Sequence, residues 1–332
     1  MQRFSFLITL LMVLNCGLEP AAPQSDDPES EDIEEEGPET PAPAISFSCP
    51  EEDAATIVPG DNSDWNAGDV SRQFFAEFPV SMDEPVGVLF SWHGVGDTME
   101  NWRGSLPFDP NGDPDFPFIV ITPESTQMSP INQPAGIDWD IFESNADDDN
   151  REALLFESIL GCLASQYNID TRRIYTGGFS GGALVSAMLY SRYPDLIAGA
   201  AVFSGAFLND PVQVASINTG PVPVTISWDD LAADVTTPIM MSHGGATDTY
   251  GVMGIEVINF ENTMQQTKTF LGNAGRLIVD CPHTLGHTFP PGLTLADVVD
   301  FFKAHPFGAT ALYGAEGLPA TIGSQCSDVT AE

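Results

Sequence analysis

From residue 86 onward the chain alternates short, nearly continuous apolar runs with longer segments whose apolar residues recur at helical spacing. The runs 86–92, 118–122, 174–177, 198–203, 238–243 and 276–281 predict strands buried on both faces. Between them, 151–167, 181–193, 260–272 and 295–305 predict helices. Strands alternating with helices predict an α/β fold with a mostly parallel central sheet and helices on both faces, and they place functional groups at the carboxyl ends of the strands. Ahead of this region, 68–80, with Val70, Phe74, Phe75 and Phe78, predicts antiparallel edge strands. Residues 205–235, with Pro221, Pro223 and Trp228 between two strands, read as an insertion over the site. No internal repeat is visible and no linker follows residue 48, so 48–332 is taken as one catalytic domain.

The first fifteen residues carry Arg3 and then an apolar run, 4–14, too short to span a bilayer as a helix and of the length of a signal-peptide core. The run ends Val13-Leu14-Asn15-Cys16-Gly17. This resembles the lipobox of bacterial lipoproteins, with Asn15 where the pattern has a small residue. The resemblance implies a lipid on Cys16, a membrane anchor, and a chain exported to the cell envelope. Residues 16–47 are rich in Pro, Glu, Asp and Ser and predict an extended, self-repelling acidic tether.

Charge changes the picture of partners. The 332 residues hold 48 Asp plus Glu against 10 Lys plus Arg, a formal net charge of -38. A nucleic-acid partner needs a basic stripe to displace counterions, and none can be assembled here. Ten acids lie before residue 48, which leaves 38 on the remainder, so the folded part is itself strongly acidic. That composition fits a saline setting or a lineage-wide bias, and it disfavours anionic substrates. With Cys16 set aside, Cys49, Cys162, Cys281 and Cys326 form an even set suited to an oxidising compartment. The expected pairing joins Cys49 with Cys326, tying the two ends of the domain, and Cys162 with Cys281.

The chemistry centres on Gly178-Phe179-Ser180-Gly181-Gly182, which follows a predicted strand and opens a predicted helix. This is the nucleophile-elbow pattern in its strand-turn-helix context, where small residues two positions either side of the serine let the chain turn sharply and lift its hydroxyl above the sheet. A serine nucleophile needs a base, and the base an orienting acid. In the fold that carries this elbow the order is serine, acid, histidine, which excludes His93 and His243. His305 ends a helix, where a cation suits the dipole. Of the remaining two, His287 is chosen over His283 because Gly286 and the Pro290-Pro291 pair fit a loop returning over the sheet. Asp248, a short glycine-rich loop after the strand 238–243, is the acid. The oxyanion donors are the amides of Gly181 and Val95, with Gly94 as the alternative to Val95.

With these residues in place the chain resembles the poly(3-hydroxybutyrate) depolymerase and feruloyl esterase group of secreted α/β-hydrolases. The resemblance rests on Leu89-Phe90-Ser91-Trp92-His93-Gly94, on Asn168-Ile169-Asp170-Thr171-Arg172-Arg173-Ile174-Tyr175 leading into the elbow, on Tyr193-Pro194-Asp195-Leu196, and on Gly286-His287-Thr288-Phe289-Pro290. It implies hydrolysis of a neutral ester, polymeric or plant-derived, through Ser180, Asp248 and His287, with no cofactor. The stretch His243 to Asp248 is one residue longer than the usual spacing in the group. Rival readings are a serine peptidase on the same fold and a surface binding protein without catalysis. The acidic turn of Asp109, Asn111, Asp113 and Asp115 presents oxygens at alternate positions but lacks a distal bidentate Glu, so no metal is expected. Trp139 and Trp228 are candidates either for lining a substrate cleft or for the core.

Overall fold

A computed structural model describes residues 40–49, 56–68, 70–126, 137–144, 149–217, 225–233, 237–309, 313, 317–319, 322–323 and 325–329. All of them fall in one compact unit, Thr40–Glu332. The expected signal segment and Cys16 lie outside the described residues. Among the described residues no helix is long and apolar enough to cross a membrane.

The strands are β1 (Gly60–Ala67), β2 (Val70–Glu77), β3 (Val86–Trp92), β4 (Phe118–Pro123), β5 (Glu143–Ser144), β6 (Ile169–Phe179), β7 (Gly199–Phe203), β8 (Ser227–Trp228), β9 (Ile239–Ser242), β10 (Thr249–Val252), β11 (Ile255–Asn259), β12 (Ile278–Asp280) and β13 (Ser327–Asp328). The helices are α1 (Met99–Ser105), α2 (Arg151–Gln166), α3 (Gly181–Arg192), α4 (Pro211–Ser216), α5 (Phe260–Asn273) and α6 (Leu295–Lys303). One nine-stranded sheet runs β1-β2-β4-β3-β6-β7-β9-β12-β13. Its six interior strands are parallel, and β1, β2 and β13 pair antiparallel at the edges.

The sequence pattern explains the interior. Every residue of β3, β4, β7 and β9 is buried, as expected for strands covered on both faces. On one face lie Val88, Phe90, Ile174, Val202 and Met241 with α2, α3 and α5; on the other lie Leu89, Val120, Tyr175, Met240 and Val279 with α6. Helix α3 is buried at every position except Arg192, and its small residues Gly181, Gly182, Ala183, Ser186 and Ala187 let it lie close under the sheet. Helix α2 starts at Asn150, whose side chain accepts from the Glu152 and Ala153 amides, a cap worth about 1 kcal/mol. Behind it, Glu152 is fully buried and receives Arg72 at 2.6 Å and the Asp140 amide at 3.0 Å.

The chain leaves β3 for β4 on one side and returns to β6 on the other. The loops after β3 and β6 therefore flank a topological switch point, where open α/β sheets form their ligand crevice.

Four expectations change. Strand β6 begins at Ile169, five residues early, because the Asp-Thr-Arg-Arg lead-in is already extended beside β3. Within 205–235, the residues Ala206, Phe207, Leu208 and Trp228 are buried, so this stretch supplies core as well as surface. The disulfides are Cys49–Cys162 and Cys281–Cys326, not the expected pairs. Cys162 packs in the core on one face of the sheet and Cys281 in the core on the other, so the sheet separates them. Each cysteine is instead bridged to a terminal segment laid against its own face: 47–49 against Gly161 of α2, and 326–328 beside β12. Ile45 and Phe47, within the stretch expected as tether, pack on the core, with Phe47 edge-on to Phe156 and Tyr193.

Candidate active site

The elbow follows from close packing of backbone. A Cβ on Gly178 would lie 2.4 Å from the Gly182 carbonyl oxygen, and one on Gly182 would lie 2.1 Å from the Trp92 carbonyl oxygen. Any side chain at either position would push the turn away from β3. Between them Ser180 has φ 58° and ψ −120°, a conformation that costs a non-glycine residue about 1–3 kcal/mol and persists only where its surroundings impose it. Its amide donates to Phe203 O at 2.9 Å, which fixes the turn to the end of β7.

The structure brings the three expected side chains together. Ser180 Oγ lies 2.9 Å from His287 Nε2, and His287 Nδ1 lies 2.6 Å from Asp248 Oδ1. Since the carboxylate can only accept, Nδ1 carries the proton and Nε2 is free to accept from the serine. Asp248 is fully buried. Burial opposes its ionisation, but donation from His287, the Gly244 amide and the Ser204 hydroxyl outweighs that, so the carboxyl is held below its ordinary value.

The acid and base loops are built as a pair. His283 N donates to His243 O and Gly286 N to Gly244 O, each at 2.9 Å. A Cβ on Gly244 would lie 1.9 Å from the Gly286 carbonyl oxygen, so only glycine lets the loops touch. The extra residue before Asp248 is absorbed in a turn closed by Asp248 N donating to Gly245 O at 2.9 Å. Asp248 O in turn accepts from Phe260 N at 2.8 Å, which seats the Phe260 ring parallel to the His287 imidazole, 4.9 Å between centroids. Phe179 covers the imidazole from another side at 4.6 Å.

Gly181 opens α3, so its N–H has no carbonyl a turn earlier and sits at the positive end of the helix dipole. The Val95 amide nitrogen lies 3.2 Å from where a Gly181 Cβ would be, so the two expected oxyanion donors are neighbours. The Val95 loop is held from the segment before α2: Gly96 N donates to Asp138 Oδ2 at 3.0 Å and Trp139 Nε1 to His93 O at 3.0 Å.

The other histidines have different employment. His93 is fully buried and donates from Nδ1 to Gly94 O at 2.8 Å. His283 accepts from the Leu285 amide, and His305 donates to Phe301 O. Trp139 and Trp228 are core residues, with indole N–H groups on His93 O and Ile141 O. Asp109 and Asp113 accept from amides of their own turn, and Asp113 also binds Lys303. Among the described residues no group of three His, Cys, Asp or Glu could hold a metal. A groove of about 790 Å³ lined by Pro79, Phe116, Arg173 and Lys303 lies at the amino ends of β3 and β4, at the opposite end of the strands from Ser180.

Sequence reasoning did not find Ser204, Phe260 or Asp138. Phe260 carried only the helical pattern, and Asp138 only its neighbour's tryptophan; a serine before Gly205 at a strand end gave no signal.

Comparison with known proteins agrees with this architecture. The chain is 28% identical over 183 residues to feruloyl esterase D of Neurospora crassa, covering 51% of this chain and 61% of the relative. It is 26% identical to a probable acetylxylan esterase A of Neosartorya fischeri, covering 52% and 49%. It is 27% identical to poly(3-hydroxyalkanoate) depolymerase C of Paucimonas lemoignei, covering 48% and 38%. The chain thus spans between about two fifths and three fifths of the length of these relatives. The solved structure of native pOPH superposes with a TM-score of 0.65 at 18% identity, covering 85% of this chain and 97% of that one, which shows a shared fold. A family model described as phospholipase/carboxylesterase matches residues 80–250, a span that begins before the β3 loop and includes Ser180 and Asp248. With more than half of its length matched by that model, the chain belongs to the phospholipase/carboxylesterase family of α/β-hydrolases.

Proposed function

We propose that the protein is a carboxylic ester hydrolase working through an acyl-enzyme on Ser180. The observation that carries the reading is the strained serine whose hydroxyl meets His287 Nε2 at 2.9 Å, with Asp248 behind the imidazole. His287 takes the hydroxyl proton as Ser180 Oγ attacks the ester carbonyl. The Gly181 and Val95 amides receive the developing oxyanion. His287 then passes its proton to the departing alkoxide, and a water attacks the acyl-enzyme by the same steps in reverse. This sequence draws on no cofactor.

Relatives named for feruloyl, acetylxylan and polyhydroxyalkanoate esters, together with a net charge of -38 that repels anions, support a neutral ester of polymeric or plant material. The test is hydrolysis of methyl ferulate, acetylated xylan and poly(3-hydroxybutyrate) film by wild type beside Ser180→Ala. The reading expects at least one to be cleaved, with the rate lost in the variant; equal rates in both proteins would sink it.

Two disulfides fit folding in an oxidising compartment. The Val13-Leu14-Asn15-Cys16 ending of the apolar leader supports a lipid anchor on Cys16, followed by an acidic tether that ends before the core-packed Ile45 and Phe47. The anchor predicts that Cys16→Ser moves the protein from the membrane fraction to the soluble one, and unchanged fractionation would contradict it.

A further inference from the structure

The end of β7 ties the nucleophile turn to the acid loop, and the last of its contacts is made by the Ser204 side chain. Ser204 is one of four non-glycine residues with positive φ among those described, at 53°, and Ser180 is another. It is almost fully buried. Phe203 O accepts the Ser180 amide at 2.9 Å, Ser204 N donates to Ser242 O at 2.8 Å, and Ser204 Oγ donates to Asp248 Oδ2 at 2.8 Å. Two consecutive residues therefore bind the nucleophile's backbone, the strand that leads to the acid loop, and the acid itself.

The backbone region at Ser204 favours glycine, and a glycine stands next in the chain at Gly205 without that conformation. A serine in the strained position therefore needs a compensating interaction. The Asp248 hydrogen bonds name it. Oδ2 takes two donors, Ser204 Oγ and the Gly244 amide at 2.7 Å, while Oδ1 is left to His287 Nδ1 at 2.6 Å. Ser204 Oγ and the Gly244 amide reach Oδ2 from different loops and, with His287 on Oδ1, fix the plane of the carboxylate; loss of the hydroxyl removes one of these three restraints and loosens it. Because hydrogen bonds to a buried charge are strong and directional, the rotation of Asp248 sets where the imidazole points.

We propose that Ser204 is a positioning residue of the hydrolytic site, its hydroxyl locking the Asp248 carboxylate so that Oδ1 holds His287 toward Ser180. The proposal rests on the ester-hydrolase reading above. It separates from a purely structural hydroxyl by what its loss does: a structural role changes stability and leaves turnover alone, whereas a positioning role changes turnover even when folding is relieved.

The test uses the full chain with its disulfides formed and compares Ser204→Gly, Ser204→Ala, Ser180→Ala and wild type on p-nitrophenyl butyrate across pH. Ser204→Gly removes the hydroxyl and gives the left-handed position the residue it favours, so folding is protected. The expected result is a folded Ser204→Gly whose kcat falls about ten- to a hundredfold, the worth of a hydrogen bond to a charged group expressed as a rate. KM stays within about twofold, since the hydroxyl does not reach substrate. The low-pH limb of kcat/KM moves up, because the Asp248–His287 pair titrates as a unit and its carboxylate has lost one of the donors that offset burial. The other ionisable groups around Asp248 are His287 and His243, and both are unchanged in these variants. Ser204→Gly with wild-type kcat and a superimposable pH profile, beside an inactive Ser180→Ala, would overturn the proposal while leaving the hydrolase reading intact. A Ser180→Ala rate equal to wild type would overturn the hydrolase reading and this proposal with it.

Discussion

At the scale of single residues, the site depends on side chains kept where they are costly. Ser180 holds a backbone angle that side chains avoid, and Asp248 keeps its charge while fully buried. The carboxylate tolerates burial because three donors face it, and they leave its pKa below the ordinary value. The folded chain then binds this proton more weakly than the unfolded chain does. Its contribution to stability is complete above the usual carboxylate pKa of about 4 and is lost as the pH falls through the lower native value. The melting-temperature difference between wild type and Asp248→Asn should therefore shrink as pH drops below about 4, while at neutral pH the variant loses roughly 10⁴-fold in kcat. A difference that stays constant down to pH 2 would contradict the depressed pKa. Ser180 was legible in the sequence because the elbow is local: two glycines, a serine and a strand ahead are contiguous. His287 and Asp248 could be reached by chain order and by having only five histidines to choose among. Ser204 and Phe260 were not legible, since each matters through a partner more than 25 residues away, Asp248 at a separation of 44 and His287 across the α5 start.

At the scale of elements, the loop after β3, with the proposed oxyanion donor Val95, is positioned by the segment that precedes α2. Asp140 binds the Glu152 and Asn150 side chains, and its neighbours Asp138 and Trp139 hold the Gly96 amide and the His93 carbonyl. The Val95 amide is therefore kept in place from outside its own loop. Asp138→Ala should lower kcat about tenfold with KM little changed, as expected when an oxyanion donor is loosened but not removed. A variant with wild-type kcat on p-nitrophenyl butyrate would show that the loop holds itself. The six interior strands were readable because burial on both faces makes them continuously apolar, a signal that needs no tertiary knowledge. The two-residue edge strand β13 carries no such pattern. It decided the cysteine pairing: antiparallel addition beside β12 brings Cys326 to Cys281, and which face of the sheet a cysteine occupies cannot be read from spacing alone.

At the scale of the whole molecule, the excess of acid is a property of the sequence after residue 47 as well as of the first 47 residues. With 38 acids and nine bases after residue 47, the domain carries about −29 charges. Like charges at that density oppose compaction, and the opposition weakens as the screening length falls from about 10 Å at 0.1 M salt to about 3 Å at 1 M. The melting temperature should rise by several degrees between about 0.05 and 1 M sodium chloride; a flat or falling profile would show that the charges are already compensated. The same field lowers the local concentration of anionic substrates and leaves neutral esters unaffected, so the charge narrows what reaches Ser180 without touching the chemistry there. That chemistry is the central claim, and covalent labelling tests it most directly. After incubation with a fluorophosphonate, digestion and mass mapping should find one adduct per chain, on the peptide that contains Ser180, absent in Ser180→Ala and greatly slowed in His287→Ala. An unlabelled Ser180 in protein that still hydrolyses p-nitrophenyl butyrate would contradict the account.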